Sequence, residues 1–256
     1  MDYSAVTEIP GSRATQEQLA RLYQRYHLGA RHSQEKRVLE VACGTGIGLG
    51  YLREKAVSVV GGDYTFSLLR QAYSTYHGEM PLVQLDAHQL PFSSGSFDFI
   101  LILEALYYLQ NPEQFLQECR RILFTNGKLL IGTVNKEWKG FLTSPKSVGY
   151  YSAVELRNLL DAAGFGDIQI LVGFEDSSDG SGQRVKLWLR SLASRLNLIP
   201  GSLKGRETLK RIFYGPLASL PDRLTKDMVS YPPIKPIEQA KDVGHYQVLY
   251  VLATTK

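Results

Sequence analysis

The chain has 256 residues, of which 44% are hydrophobic and 21% charged, a composition that suits one globular domain and excludes fibrous, low-complexity and disulfide-scaffold proteins. The net charge is only +4, and the segment 175–240 carries all of that excess, with 11 basic against 7 acidic side chains. This argues against a nucleic-acid binder, which needs a contiguous basic stripe.

In chain order, the opening MDYSAVTEIPG has no basic stretch followed by an apolar run, and so does not read as a signal peptide. Thr15-Gln-Glu-Gln18 has the spacing of a helix capping box. Leu19, Leu22, Tyr23 and Tyr26 then recur on one helical face, so the spacing predicts a helix over 15–28. Strands are expected at 37–42, 57–63, 81–85, 97–103 and 128–134. Helices are expected from the Gly-rich turn to about residue 55, over 65–76, and from Pro112. Asn126-Gly127 reads as a turn ahead of the fifth strand. Beyond it, 152–163 reads as a helix ended by Gly164, and 167–173 and 245–253 read as two further strands. Continuous apolar strands alternating with helices imply an α/β, Rossmann-like parallel sheet covered on both faces. The longest apolar run, Phe99 to Leu103, is far too short to span a membrane. Cys43 falls in a loop motif and Cys119 in a helical pattern, which suggests a reducing, cytoplasmic setting and no metal site.

The chemistry concentrates after the strands. Val38-Leu-Glu-Val-Ala-Cys-Gly-Thr-Gly46 runs from a strand through a Gly-bearing turn. There Gly44 and Gly46 let the backbone bend and a ligand approach, and Glu40 can accept hydrogen bonds from a cationic amine. The alternative for this motif alone is a tight βα turn with a surface Glu. A dinucleotide site expects a third glycine, where this chain has Leu49, and this weakens the competing reading of an NAD-linked oxidoreductase. Asp63 ends the second strand and suits the two ribose hydroxyls of an adenosine, or caps the helix that follows. After the third strand comes Asp86-Ala-His-Gln-Leu-Pro-Phe92, with Asp86 positioned for an adenine amino group. His88 is either a helper there or a plain loop residue. Ligands of open parallel sheets bind beyond the carboxyl ends of the strands, which places Glu40, Asp63, Asp86 and Glu104 along one acidic rim. Such a rim fits a cationic nucleoside better than a polyphosphate.

Taken in order, E-V-A-C-G-T-G, G-G-D-Y-T, L-D-A-H-Q-L-P-F-S-S-G-S-F-D and R-I-L-F-T-N-G resemble the successive motifs of class I S-adenosylmethionine-dependent methyltransferases, nearest the ubiquinone/menaquinone group of small-molecule enzymes. The resemblance covers about 37–173. It implies a seven-stranded sheet with an antiparallel last strand, and S-adenosylmethionine as cofactor. It also assigns Glu40 and the 42–46 loop to the methionine part, Asp63 to ribose and Asp86-Ala87 to adenine. The expected cofactor set is Glu40, Ala42, Cys43, Gly44, Gly46, Asp63, Tyr64, Asp86, Ala87, His88 and Glu104. The chain departs from the pattern in two places. Ala42 stands where the first loop glycine is usual, and Tyr107-Tyr108 replaces a common His-His. The EIPG-x-x-AT-x-EQL stretch resembles methyltransferases of bacterial surface-polysaccharide gene sets, which suggests a glycolipid or sugar-type acceptor as well as other small molecules.

Methyl transfer from a sulfonium needs chiefly alignment. A base is required only where the acceptor must lose a proton, and its candidates are Glu104, Tyr107, Tyr108, His88 and His245. In domain terms, 1–35 reads as a helical cap, 36–174 as the cofactor core, 175–240 as a helical insertion and 241–256 as the final strand. A helix over 184–196 is expected in the insertion. Its cations (Arg184, Lys186, Arg190, Lys204, Arg206, Lys210 and Arg211) fit a lid over an anionic acceptor such as a nucleotide-sugar or lipid phosphate, a peripheral membrane surface, or a merely solvated face. A non-catalytic protein that keeps the cofactor fold as an interaction module is the remaining alternative.

Overall fold

A computed structural model describes residues 2–176, 217–238 and 243–256. Its strands are β1 (Arg13–Ala14), β2 (Arg37–Val41), β3 (Ser58–Asp63), β4 (Leu82–Gln84), β5 (Phe97–Leu103), β6 (Leu123–Val134), β7 (Phe165–Glu175), β8 (Ala218–Ser219), β9 (Lys235–Ile237) and β10 (Tyr246–Thr255). Its helices are α1 (Gln16–His32), α2 (Leu49–Arg53), α3 (Phe66–Tyr76), α4 (Pro112–Ile122) and α5 (Ala153–Ala162). The helix expected over 184–196 and the seven insertion cations lie outside the described residues.

The main sheet runs β4-β3-β2-β5-β6-β10-β7-β9. The first five strands are mutually parallel, and β10 slots antiparallel between β6 and β7. The sheet therefore has eight strands rather than the expected seven. The addition is β9, three residues from the insertion that pair antiparallel with the edge strand β7. Too short and too polar to give a periodic signal, Lys-Pro-Ile is invisible as a strand in the sequence. Asn126-Gly127 also differs from expectation. It forms no turn before β6; instead Asn126, at φ 63°, sits in a bulge within it, and the register with β5 jumps between Phe97 and Phe99.

Side chains of the central strands alternate between two cores. Val38, Phe99 and Leu101 face α1 and α2, while Leu39, Ile100 and Ile102 face α4 and α5. β5 reads as an unbroken apolar run because both of its faces are buried. Both ends of the predicted capping box on α1 are made, Thr15 to Gln18 and back.

The described part of the insertion fastens α1 to the sheet. β8 pairs with β1, Leu224 N–H donates to the Ile47 carbonyl (3.0 Å), and Gln24 Nε2 donates to the Pro232 carbonyl (2.7 Å). Among the described residues no helix is long and apolar enough to cross a membrane, and no cluster of His, Cys, Asp or Glu is placed to hold a metal ion.

Candidate active site

Beyond the carboxyl ends of β2, β3, β4 and β5, the loops meet one side of α1 around a cavity of about 640 Å³. The N-terminal segment lies across its mouth, with Tyr3, Val6, Thr7 and Glu8 in the wall. None of the described insertion residues 217–238 lines it.

One half of the wall is built by the motifs. Ala42, Cys43, Gly44, Asp63, Tyr64, Asp86, Ala87, His88 and Glu104 all face the cavity. Asp63 is 6% exposed and fixed by two backbone donors, Gly44 N–H to Oδ2 (2.8 Å) and Thr65 N–H to Oδ1 (2.7 Å). Each oxygen keeps a lone pair for an incoming hydroxyl. Burial pushes this carboxyl up, against the pull of those amides. Gly44 takes φ +58°, and a Cβ there would come within 2.8 Å of Thr7 Cγ2, so glycine lets the N-terminal segment close over the loop. Asp86 Oδ1 accepts from His88 N–H (2.9 Å) and meets His88 Nδ1 (2.6 Å), while Asn111 N–H donates to His88 Nε2 (3.2 Å). Both ring nitrogens of His88 are thus engaged. Burial raises Asp86, and the His88 contacts outweigh it and hold the carboxyl below its usual range.

Two expected residues stand outside the wall. Gly46 is not in the lining; it takes φ +72° and its carbonyl accepts from Tyr76 Oη (2.8 Å). Glu40, 1% exposed, also lies behind the lining, with Oε1 accepting from Tyr26 Oη (2.6 Å). Burial pushes Glu40 up to about 8, against the Tyr26 hydroxyl and Arg25. The Tyr26 ring fills the space a Cβ at Gly48 would need, with Cε1 only 1.9 Å away, so α1 locks directly onto the cofactor loop. Glu40 Oε2 is buried with no hydrogen-bond partner among the described residues.

The other half of the wall carries the expected acid–base candidates and several residues that sequence reasoning missed. Glu104 takes φ 54° just past β5, and its Oε2 accepts from Tyr107 Oη (3.1 Å). Burial raises the Glu104 carboxyl while Arg25 opposes the shift. Tyr107 stacks on Tyr150 at 4.5 Å, and burial followed by Glu104 pushes its phenol well up, so it stays protonated and donates. Tyr108 pairs with Ser144 Oγ (2.7 Å) and packs against Tyr3. His245 is exposed in the turn before β10 and does not reach the cavity.

The missed residues are Gln18, Arg21, Arg25 and Tyr26 of α1, Glu8, and Tyr250 of β10. Arg25 pairs with Glu8. Gln18, Arg21 and Arg25 form a polar stripe at helical spacing, which in sequence is indistinguishable from a solvated face.

Residues 39–131 match the family model described as a methyltransferase domain. That segment is a methyltransferase domain of the class I S-adenosylmethionine-dependent kind. It is 28% identical over 147 residues to a malonyl-[acyl-carrier protein] O-methyltransferase of Legionella pneumophila, covering 55% of this chain and 51% of that protein. It is 29% identical over 112 residues to a ubiquinone biosynthesis O-methyltransferase of Coxiella burnetii, covering 42% and 47%. The chain thus spans about half the length of the curated relatives it matches. A methyltransferase from Archaeoglobus fulgidus superposes with TM-score 0.58 at 17% identity over 94% of this chain and 95% of that one, which speaks for the fold.

S-adenosylmethionine is accordingly the cofactor of the matched domain. The wall fits its parts. Asp63 offers acceptors for vicinal hydroxyls, and Leu85 and Ala87 offer apolar contact beside the Asp86 carboxylate. Arg25 is 8% exposed and paired with Glu8, and its Nε has no hydrogen-bond partner among the described residues.

Proposed function

We propose that this protein moves a methyl group from S-adenosylmethionine to a small protic acceptor lodged between Glu104, the tyrosines and α1. When bound, the cofactor supplies an electrophilic methyl carbon on a sulfonium. In this reading Asp63 takes the ribose hydroxyls, Asp86 with Leu85 and Ala87 takes adenine, and Arg25 takes the methionine carboxylate. Residues 1–35 cap the site, and the Tyr3–Glu8 stretch excludes water once both ligands are in.

Glu104 acts as proton acceptor for the nucleophile. Of the carboxylates that follow the strands it is the one on the acceptor side of the wall, and the Tyr107 hydroxyl aims it. Most of the rate enhancement comes from holding nucleophile, methyl carbon and sulfur in line, with the base contributing where the acceptor enters protonated. The relatives' names join a malonyl-[acyl-carrier protein] and a ubiquinone-biosynthesis enzyme, two unlike acceptors. The acceptor class is therefore read from the cavity itself.

The observation that carries this reading is Asp63, a buried carboxylate clamped by the Gly44 amide at the strand end and open to the cavity. The test is calorimetric titration with S-adenosylmethionine and S-adenosylhomocysteine, followed by tritiated-methyl transfer to pools of quinols, sugar nucleotides and hydroxy acids. Micromolar binding of both nucleosides and label in one pool are expected. A folded protein that binds neither would end the proposal.

A further inference from the structure

Two guanidinium groups of α1 enter the cavity wall, and they are not equivalent. Arg25 is 8% exposed and paired with Glu8, itself a lining residue. Arg21 pairs through Nη2 with Glu17, four residues earlier on the same helix. Glu17 is half-exposed and is not a lining residue, and an exposed pair at this spacing is worth only about 0.3–0.5 kcal/mol. The Arg21 guanidinium lies over the Phe174 ring at 5.5 Å, which fixes its plane. The Nε atoms of Arg21 and Arg25 are alike buried and without a hydrogen-bond partner among the described residues, so the two differ in their ion pairs. At Arg21 the cavity wall holds a cation whose ion-pair partner lies outside the lining.

A guanidinium presents parallel N–H groups along its edges, a geometry that matches the two oxygens of a carboxylate. The neighbouring wall is aromatic, with Tyr107, Tyr108 and Tyr250. It also contains Glu8 and Glu104, whose charges disfavour a dianion such as a phosphate monoester.

We infer that Arg21 is the specificity-determining anchor for an acceptor that carries a carboxylate, its guanidinium binding that group while the planar remainder lies along the tyrosine wall towards Glu104. The inference rests on the methyl-transfer reading only for the identity of the second ligand. It separates the two arginines by role, with Arg25 serving the cofactor and Arg21 the acceptor.

The experiment titrates three probes, benzoate, benzamide and phenyl phosphate, into the full-length protein saturated with S-adenosylhomocysteine. Benzoate is expected to bind at least tenfold more tightly than the isosteric benzamide and more tightly than phenyl phosphate. Arg21→Gln should abolish the preference for benzoate over benzamide. Arg21→Lys, which keeps the charge and loses the planar fork, should retain only part of it. S-adenosylhomocysteine affinity should be unchanged in both variants, and this also reports that they are folded. Equal binding of benzoate and benzamide would overturn the inference, as would a preference that survives in Arg21→Gln, or phenyl phosphate binding as tightly as benzoate. Should S-adenosylhomocysteine itself not bind, the methyl-transfer reading fails on that result, while the benzoate preference and its loss in Arg21→Gln are still read on the protein alone.

Discussion

The two halves of the cavity are built by different means. On the cofactor side, each lining carboxylate follows a strand of the parallel sheet, at a place dictated by the strand–loop–helix alternation. Asp63 is held by backbone amides, and Asp86 by the backbone and imidazole of His88, within short stretches of loop. On the acceptor side, α1, the N-terminal segment, the turn after β5 and β10 bring side chains together from positions up to about the length of the chain apart. The Tyr250 hydroxyl, for example, donates to Gln24 Oε1 (3.0 Å) across 226 positions of sequence. The difference teaches that a fold can fix one ligand through local geometry and leave the other to be set by long-range packing, which is free to vary.

The sharpest way to break this comparison is at Asp63. Asp63→Ala removes the charged acceptor for the ribose and frees the Gly44 and Thr65 amides. Charge-assisted hydrogen bonds are worth about 1.5–3 kcal/mol each. S-adenosylhomocysteine affinity measured by calorimetry should therefore fall by on the order of 100-fold, with the fold retained by circular dichroism. An unchanged affinity would mean that the motif-built half does not hold the cofactor.

Glu40 gives the next largest effect, and it is read in stability. Burial holds this carboxyl at about 8, well above its ordinary 4.5, so the folded state prefers it protonated. A group raised on folding stabilises fully below its unfolded pKa, and that stabilisation is lost as pH rises towards the folded value. Stability by urea unfolding should thus decline between pH 6 and 8. Glu40→Gln, which keeps an acceptor for Tyr26, should flatten the decline by on the order of 2 kcal/mol. A profile identical to that of the unmodified protein would show that Glu40 is not the source of the decline.

A smaller effect is expected on the acceptor side. Tyr107→Phe removes the hydroxyl that donates to Glu104 and helps to lower its pKa. If Glu104 takes the acceptor's proton, the rising limb of the methyl-transfer rate should move to higher pH, with the plateau reduced a few-fold. A limb that stays in place would point to a different base.

The same division explains what was legible in the sequence. β5 and the Asp63 strand end are visible because a continuous apolar run, a glycine turn and an acidic terminus are local signals. The capping box at Thr15 is likewise complete within four residues. Arg21 and Arg25 were not legible as wall residues, because a polar stripe on a helix looks the same whether it faces water or a cavity. The motif leads one to expect Glu40 at the ligand. It is 1% exposed, and its partner Tyr26 of α1 is a neighbour that no local pattern around Glu40 announces. β9 escaped notice because its pairing with β7 crosses more than sixty positions.

The smallest expected effect tests whether the cofactor loop itself is under strain. Ala42 holds φ +61° at the point where β2 becomes the Gly-bearing turn, a conformation that brings Cβ against the following carbonyl and costs an L-residue roughly 1–2 kcal/mol. Glycine adopts it freely but loses more backbone entropy on folding, which returns roughly 0.5–1 kcal/mol of that gain. Ala42→Gly should therefore raise stability by up to about 1 kcal/mol in urea unfolding, and leave cofactor affinity within about twofold because the loop path is already set. A substitution that lowered stability instead would show that the alanine methyl makes packing contacts worth more than the relieved strain. It would also place the origin of this departure from the family pattern in the apolar neighbours it meets, Leu85 among them on the same face of the sheet.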